Sequence, residues 1–163
     1  MAPDGFHVVT ASKGFNGVGC EARLWDLRGP AAPVQVAAAA APAAGGWGGQ
    51  APAAVRQFAG HSQDAAACVF LPPSNRGRGL TFATASKDAS VRVWDAASGQ
   101  ALCAHTEVGC GAYTSLAVVP PAPGAAGGPR LAAGCSGGVF VYAIDAAAGK
   151  LTTLLRSNAA LTS

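Results

Sequence analysis

One pattern that occurs twice constrains the fold of this chain more than any other feature. Thr84–Asp95 reads TASKDASVRVWD, and Thr10–Asp26 reads TASKGFNGVGCEARLWD, which is 17 residues against 12 and so five residues longer. Both copies begin with Thr-Ala-Ser-Lys and end on an alternating segment with Trp-Asp. A third, weaker copy at Leu131–Asp145 has Tyr142 in place of the tryptophan. Recurrence of this kind predicts a repeat protein, in which each unit packs on its neighbours.

The segments between the turn-forming clusters have the composition of strands. They are short, rich in Val, Phe, Thr and Leu, and bounded by clusters of Pro, Gly, Asn and Ser. No apolar stripe of helical period is sustained, and the alanine run near residue 37 ends at Pro42. The sequence therefore predicts an all-β chain of short antiparallel strands: HVVTAS, ARLWD, CVFLP, LTFATAS, SVRVWD, QALCAH, TSLAVVP, RLAAGC and GVFVYAI.

Composition narrows the class of protein. The 163 residues suffice for one domain, and only 12% are charged, against roughly a quarter in an average globular protein. The net charge of +3 is small and scattered, which argues against a nucleic-acid partner. The five cysteines are odd in number and form no Cys-x-x-Cys pair, so we expect reduced thiols and no zinc site.

No signal peptide is recognisable, and the two charge-free runs are interrupted by Pro and Gly in a way that a membrane span does not tolerate. We therefore expect a soluble, cytoplasmic protein with no membrane span.

One unit can be followed from end to end. Gly60-His61 opens it, an Asp-containing turn lies between its second and third strands, and the third strand ends in Trp-Asp. This order resembles the WD repeat of β-propellers, whose units are four-stranded blades. The resemblance implies a buried structural network of His61, Thr84, Asp88 and Trp94. Asp88 would accept from its own turn and from the His61 imidazole, and the Thr84 hydroxyl would meet the other imidazole nitrogen and the Trp94 indole.

The neighbouring units depart from this pattern. Thr10 and Trp25 occupy the equivalent positions of the first unit, but Gly14 replaces the aspartate. The third has Tyr142, with Ser136 at the aspartate position. We expect no network in either unit. The segment MAPDG resembles the tail of a strand whose start is missing.

The predicted fold is a partial WD-repeat β-propeller of about three blades, the first incomplete, in a single domain. An incomplete blade at 1–59 contains a disordered Ala/Pro/Gly insert at 30–52, a complete blade follows at 60–105, a degenerate blade at 106–156, and a tail at 157–163. Propellers close with about 4–8 blades. We therefore expect a C-terminal fragment of a longer propeller protein, with the remaining blades missing from this chain.

The segments GFNGVGCEARLWDLR, GHSQDAAACVFLP and YTSLAVV resemble the last blades of one member of the family, which implies a link to cilia and to small-GTPase regulation.

Catalytic motifs are weak. GCSGG at Gly134–Gly138 has the spacing of a nucleophile elbow, but a strand follows it and every histidine precedes Ser136, so we predict a hairpin turn. GFNGVG at Gly14–Gly19 lacks the spacing and the helix of a phosphate loop. A Ser86–His61–Asp88 triad competes with the structural network for the same side chains. His7 and His105 have no evident metal-ligand partners, and Trp47 is interpreted as a solvated loop residue.

The remaining possibility is that surface residues of the chain bind a partner. The resemblance implies partner-binding positions at Asp64, Ala66, Lys87 and Lys13, although ordinary solvated charges would explain the charged ones equally well. We expect a protein that is not an enzyme, needs no cofactor and no metal, and serves as a scaffold that binds other proteins. The alternative is a substrate-recruiting or regulatory propeller subunit of an enzyme complex.

Overall fold

A computed structural model describes residues 1–14, 18–28, 54–73, 79–120, 128–145 and 148–158. These residues form eleven β-strands and no helix. No helix in this part of the chain has the length and apolar character needed to cross a membrane. The all-β prediction is confirmed.

The strands form three antiparallel sheets in chain order. The first sheet has the order β1 (His7–Ala11), β2 (Ala22–Asp26), β3 (Ala54–Phe58). The middle sheet has the order β4 (Ala65–Phe70), β5 (Thr81–Ser86), β6 (Ser90–Asp95), β7 (Ala101–Thr106). The third has the order β8 (Tyr113–Val119), β9 (Arg130–Cys135), β10 (Gly138–Asp145), β11 (Lys150–Asn158).

The middle sheet is buried on both faces, because its side chains alternate between two neighbours. Phe82 and Trp94 face the first sheet, where they pack with Leu24 and Phe58. Ring pairs support this contact: the Phe58 and Phe82 centroids are 4.7 Å apart, and those of Phe58 and Trp94 are 5.7 Å apart. Burial of these aromatic rings stabilises the contact between the two sheets.

The opposite face of the middle sheet is aliphatic. Val91 and Val93, both fully buried, pack against the aromatic face of the third sheet, which includes Phe140 and Tyr142. The three sheets therefore lie side by side. The middle sheet turns its aromatic face to the first sheet and its aliphatic face to the third.

Strand register explains how the four network positions come together. Phe82 pairs with Trp94 and Thr84 pairs with Arg92 across β5 and β6, so these side chains share one face of the middle sheet. A register slip of one residue in either strand would turn that strand's members of the group to the aliphatic side.

The structure differs from the sequence-based expectation in two places. Met1–Gly5 is a turn and not the end of a strand. The Ala2 amide donates to the His7 carbonyl, and Asp4 Oδ1 accepts from the amides of Phe6 and His7. Two strands, β3 and β11, were not among the predicted segments. The whole of the predicted insert at 30–52, with Trp47, lies outside the described residues, as does 121–127.

Candidate functional site

His61 lies just before β4 and is 4% exposed, with its ring inserted between the first and middle sheets. Its Nε2 lies 2.7 Å from Thr84 Oγ1, and its Nδ1 lies 3.0 Å from Ser90 Oγ and 3.3 Å from Asp88 Oδ2. Both ring nitrogens therefore have hydrogen-bond partners.

The hydrogen bonds that join Trp94, Thr84 and His61 all have the same direction, each residue donating to the next. The Trp94 indole can only donate, and it gives its N–H to Thr84 Oγ1 over 2.8 Å. The Thr84 hydroxyl then has its own proton free for His61 Nε2. This assigns the imidazole proton to Nδ1, which faces Asp88 and Ser90. A neutral His61 satisfies every member of this chain of hydrogen bonds.

Asp88 sits in the turn between β5 and β6 and holds that turn together. Its Oδ1 accepts from the Ser90 amide at 2.9 Å and the Ser90 hydroxyl at 2.5 Å. Its Oδ2 accepts from the Ser62 amide at 2.9 Å, which ties the turn to the segment before β4.

The electrostatics of the group favour a neutral imidazole beside an ionised carboxylate. Burial lowers the pKa of His61 below 6.5, against the opposing effect of Asp88. Burial alone would raise the pKa of Asp88, but the hydrogen bonds from Ser90 and from the Ser62 amide, with the nearby His61, hold it below 3.8.

No family model matches the chain. Among solved structures, the crystal structure of Saccharomyces cerevisiae Sqt1, a WD40 propeller protein, superposes with a TM-score of 0.61 at 16% sequence identity, over 93% of this chain and 35% of that one. The fold is that of part of a β-propeller. The chain spans about a third of the length of the Sqt1 chain.

The three sheets are thus three propeller blades, the first with three strands and the others with four. In the first blade, Trp25 Nε1 donates to Thr10 Oγ1 at 2.9 Å. The expectation that this blade has none of the network is therefore wrong: the Trp–Thr bond is present, and what is missing is the His–Asp half. Strand alternation turns Thr10 and Trp25 to the blade's outer face, so their bond is exposed.

The third blade replaces the network with a pair of phenols. The Tyr113 and Tyr142 hydroxyls are 2.5 Å apart and both rings are fully buried. Burial, and the hydrogen bond that the Tyr113 hydroxyl makes with Tyr142, raise the pKa of Tyr113 well above its ordinary range. No network was expected in this blade, and the four-residue network is indeed replaced by a neutral buried hydrogen bond.

The candidate partner-binding positions lie at the loop and turn end of the blades. Asp64 Oδ1 accepts from the Gly14 amide at 3.0 Å, and Lys87 Nζ donates to Asp64 Oδ2 at 2.8 Å. The hydrogen bond from Lys87, then that from Gly14, lowers the pKa of Asp64. Ala66, Lys87 and Lys13 are exposed. Asp64 therefore bridges the first two blades, and partner contact at these positions stays a prediction.

The catalytic alternatives find different surroundings. Ser136 lies in a two-residue hairpin turn between β9 and β10, as predicted. Ser86 bonds the Gln63 carbonyl and the Asp88 amide, so that Ser90 and not Ser86 is the serine at His61. Part of the Gly14–Gly19 loop, residues 15–17, lies outside the described residues.

The remaining histidines have acidic neighbours. His7 Nδ1 lies 2.6 Å from Asp4 Oδ2, and His105 Nε2 lies 3.2 Å from Glu107 Oε2. Within the described ranges, no group of three or more His, Cys, Asp or Glu side chains comes together as a metal site.

Sequence reasoning missed Ser90, Ser62 and Tyr113. An Asp-x-Ser spacing at Asp88–Ser90 is typical of a turn closed by side chains, and it could have identified the first of them. Tyr113 carries no such signal, because its partner is 29 residues away along the chain.

Proposed function

We propose that this chain is a non-enzymatic scaffold that binds other proteins through the loop and turn end of its blades. The propeller fold supports this proposal, since the fold offers loops for recognition on a rigid body of sheets. The positions proposed for contact are Asp64, Ala66, Lys87 and Lys13, and no cofactor or nucleic acid takes part.

One observation carries the proposal. The side chains best suited to chemistry, His61, Asp88 and Ser90, are turned toward one another inside the blade. A general base must reach the proton that it abstracts from a substrate, and His61 is 4% exposed. The group is therefore better suited to fixing the blade than to catalysis.

The working form that we propose is a longer propeller in which this chain contributes three blades. Closed propellers have about 4–8 blades. The 35% coverage of Sqt1 supports a larger assembly. The turn and strand motifs of the sequence also resemble the C-terminal blades of WD repeat-containing protein thirty-one. On that resemblance we propose a cytoplasmic protein associated with cilia.

A second candidate is a regulatory or substrate-recruiting subunit of an enzyme complex. The same exposed end of the blades supports it, because recruiting a substrate and holding a scaffold partner both use surface loops. The nature of the partner separates the two functions.

The test is affinity purification of the full chain and of two charge-reversal variants from cells. The double variant Lys13→Glu/Lys87→Glu should lose the specific partner. Arg130→Glu should keep it, because Arg130 begins β9, at the end of that strand away from the turn to β10. Enzyme subunits recovered in equal amount favour the second candidate. Partners that bind all three proteins equally would overturn this choice of surface, and absence of any specific partner would overturn the proposed function.

A further inference from the structure

Arg92 is a cation whose partner is missing. It lies on β6 opposite Thr84, facing the first blade, and it is half-buried. Its Nε is buried with no hydrogen-bond partner. The guanidinium lies over exposed Gly60, where a Cβ would come within 2.9 Å of Nη1 and 3.3 Å of Trp94 Cη2. The absence of a side chain at Gly60 leaves this guanidinium open at the rim between the two blades.

The chain's own carboxylates do not reach it. All eight Asp and Glu residues belong to the described part of the chain, and none of the ion pairs formed there includes Arg92. His61 does not serve as a partner either, because the positive charge of Arg92 lowers the pKa of His61 and favours the neutral imidazole.

The first blade shows what a guanidinium at this position binds. Arg23 precedes Trp25 by two residues, as Arg92 precedes Trp94. Arg23 Nη2 donates to Glu21 Oε1 at 2.8 Å. The residue that corresponds to Glu21 in the middle blade is Ser90, whose hydroxyl is engaged by Asp88.

The third blade also has a guanidinium paired with a carboxylate, but different residues supply the two groups. Phe140 holds the position of Arg92, and the Arg156 guanidinium lies over its ring, 5.3 Å from the centroid. Arg156 in turn forms an ion pair with Glu107, the first residue after β7. The corresponding residue in the middle blade, the first after β3, is the exposed Ala59. The middle blade thus has the cation and neither of the two carboxylates.

We propose that Arg92 binds a carboxylate side chain of a partner protein at the rim beside Ala59 and Gly60. A guanidinium binds a carboxylate through two parallel hydrogen bonds, and part burial strengthens them. The partner is an acidic segment that supplies from outside what Glu21 and Glu107 supply within the neighbouring blades. This inference rests on the proposed scaffold function and adds a contact away from the four loop positions.

The test uses the full chain and a fluorescein-labelled Gly/Ser peptide with three consecutive glutamates, titrated by fluorescence anisotropy at low salt. The same peptide with three glutamines is the neutral control. We expect binding of the glutamate peptide only, and a loss of affinity of at least tenfold in Arg92→Gln. Ala59→Glu should weaken binding to a similar extent by supplying an internal carboxylate, whereas Ala59→Gln and Arg130→Gln should bind as the unmodified chain does.

A second readout is local. On addition of the glutamate peptide, the indole N–H resonance of Trp94 should shift and that of Trp25 should not, because only Trp94 adjoins the Arg92 guanidinium. The proposal is overturned if the unmodified chain does not prefer the glutamate peptide, or if Arg92→Gln binds it with unchanged affinity. A cellular partner that is lost in the lysine variant and kept in Arg92→Gln would leave the scaffold function standing without this contact.

Discussion

Trp94 Nε1 lies 2.8 Å from Thr84 Oγ1, so that the second and third strands of the middle blade are joined through side chains as well as through their backbones. The same hydroxyl lies 2.7 Å from His61 Nε2, which brings in the segment before β4. One hydroxyl group therefore connects three parts of the blade.

Replacing Thr84 by valine should destabilise the chain by about 1–3 kcal/mol, because the buried indole and imidazole both lose a hydrogen-bond partner. Thr84→Ser keeps the hydroxyl and should cost less. The matched control is Thr10→Val, whose bond to Trp25 is exposed and whose loss water can compensate. Denaturant unfolding measures all three, and equal losses at Thr84 and Thr10 would contradict the ranking.

Removing the carboxylate of Asp88 should lower the melting temperature. In Asp88→Ala the turn amide of Ser90 loses its acceptor and the imidazole of His61 loses one of two, at about 1–3 kcal/mol. Gln63→Ala, an exposed residue near the turn, is the control and should melt with the unmodified chain. A melting temperature that Asp88→Ala leaves in place would show that the network contributes nothing to stability.

Stability should fall on mild acidification. Because burial lowers the pKa of folded His61 below 6.5, the unfolded chain takes up a proton first. The free energy of unfolding is thus fully retained above about pH 6.5 and decreases as pH falls toward the lowered pKa. Asp88, with a pKa held below 3.8, adds a further loss in stronger acid.

The check is denaturant unfolding at pH 7.5 and pH 5.5. Burial also lowers the pKa of His105, so the comparison is repeated in His105→Gln, where the part of the loss due to His61 should remain. A free energy of unfolding that is equal at the two pH values would refute the prediction.

The two buried tyrosines of the third blade should be thermodynamically coupled. Tyr142→Phe leaves the Tyr113 hydroxyl without its partner at 2.5 Å, and Tyr113→Phe does the reverse. The double variant removes both hydroxyls and should be less destabilised than the sum of the two single variants. Additive losses in this double-mutant cycle would mean that the hydroxyl contact adds nothing.

Two buried thiols should resist alkylation. Burial raises the pKa of Cys103 to about 11, and burial also raises that of Cys110, so little thiolate forms at pH 8. Iodoacetamide should modify both residues slowly in the folded chain and rapidly in denaturant, as followed by peptide mass spectrometry. Rapid modification of folded Cys103 would show that the interface between the middle and third blades opens readily.

The sequence allowed prediction of the fold and of the middle blade's four network positions, because a motif with fixed spacing carries both. His61, Thr84, Asp88 and Trp94 sit on one face by the register of β5 and β6, and that register follows from the alternation in SVRVWD. The stabilising role of the four stays a prediction until the variants are measured.

The contacts that could not be predicted are those between distant residues without a motif. Tyr113 meets Tyr142 across 29 residues and Arg156 meets Glu107 across 49. These pairings depend on how blades sit beside one another, which residue spacing does not encode. The strand β3 was missed for a local reason: AVRQF is short and follows directly on the Ala/Pro/Gly stretch.

The two outermost faces of this three-blade array are different in kind. The first blade turns its Trp25–Thr10 side outward, whereas the third exposes an aliphatic side with Val139 45% and Leu155 55% accessible. At both interfaces between the described sheets, a face that carries Trp94 or Tyr142 packs against a face that carries neither tryptophan nor tyrosine. The array therefore has a direction: two faces of the same type do not match, and any sheet added at either side must enter in the same sense as those already present.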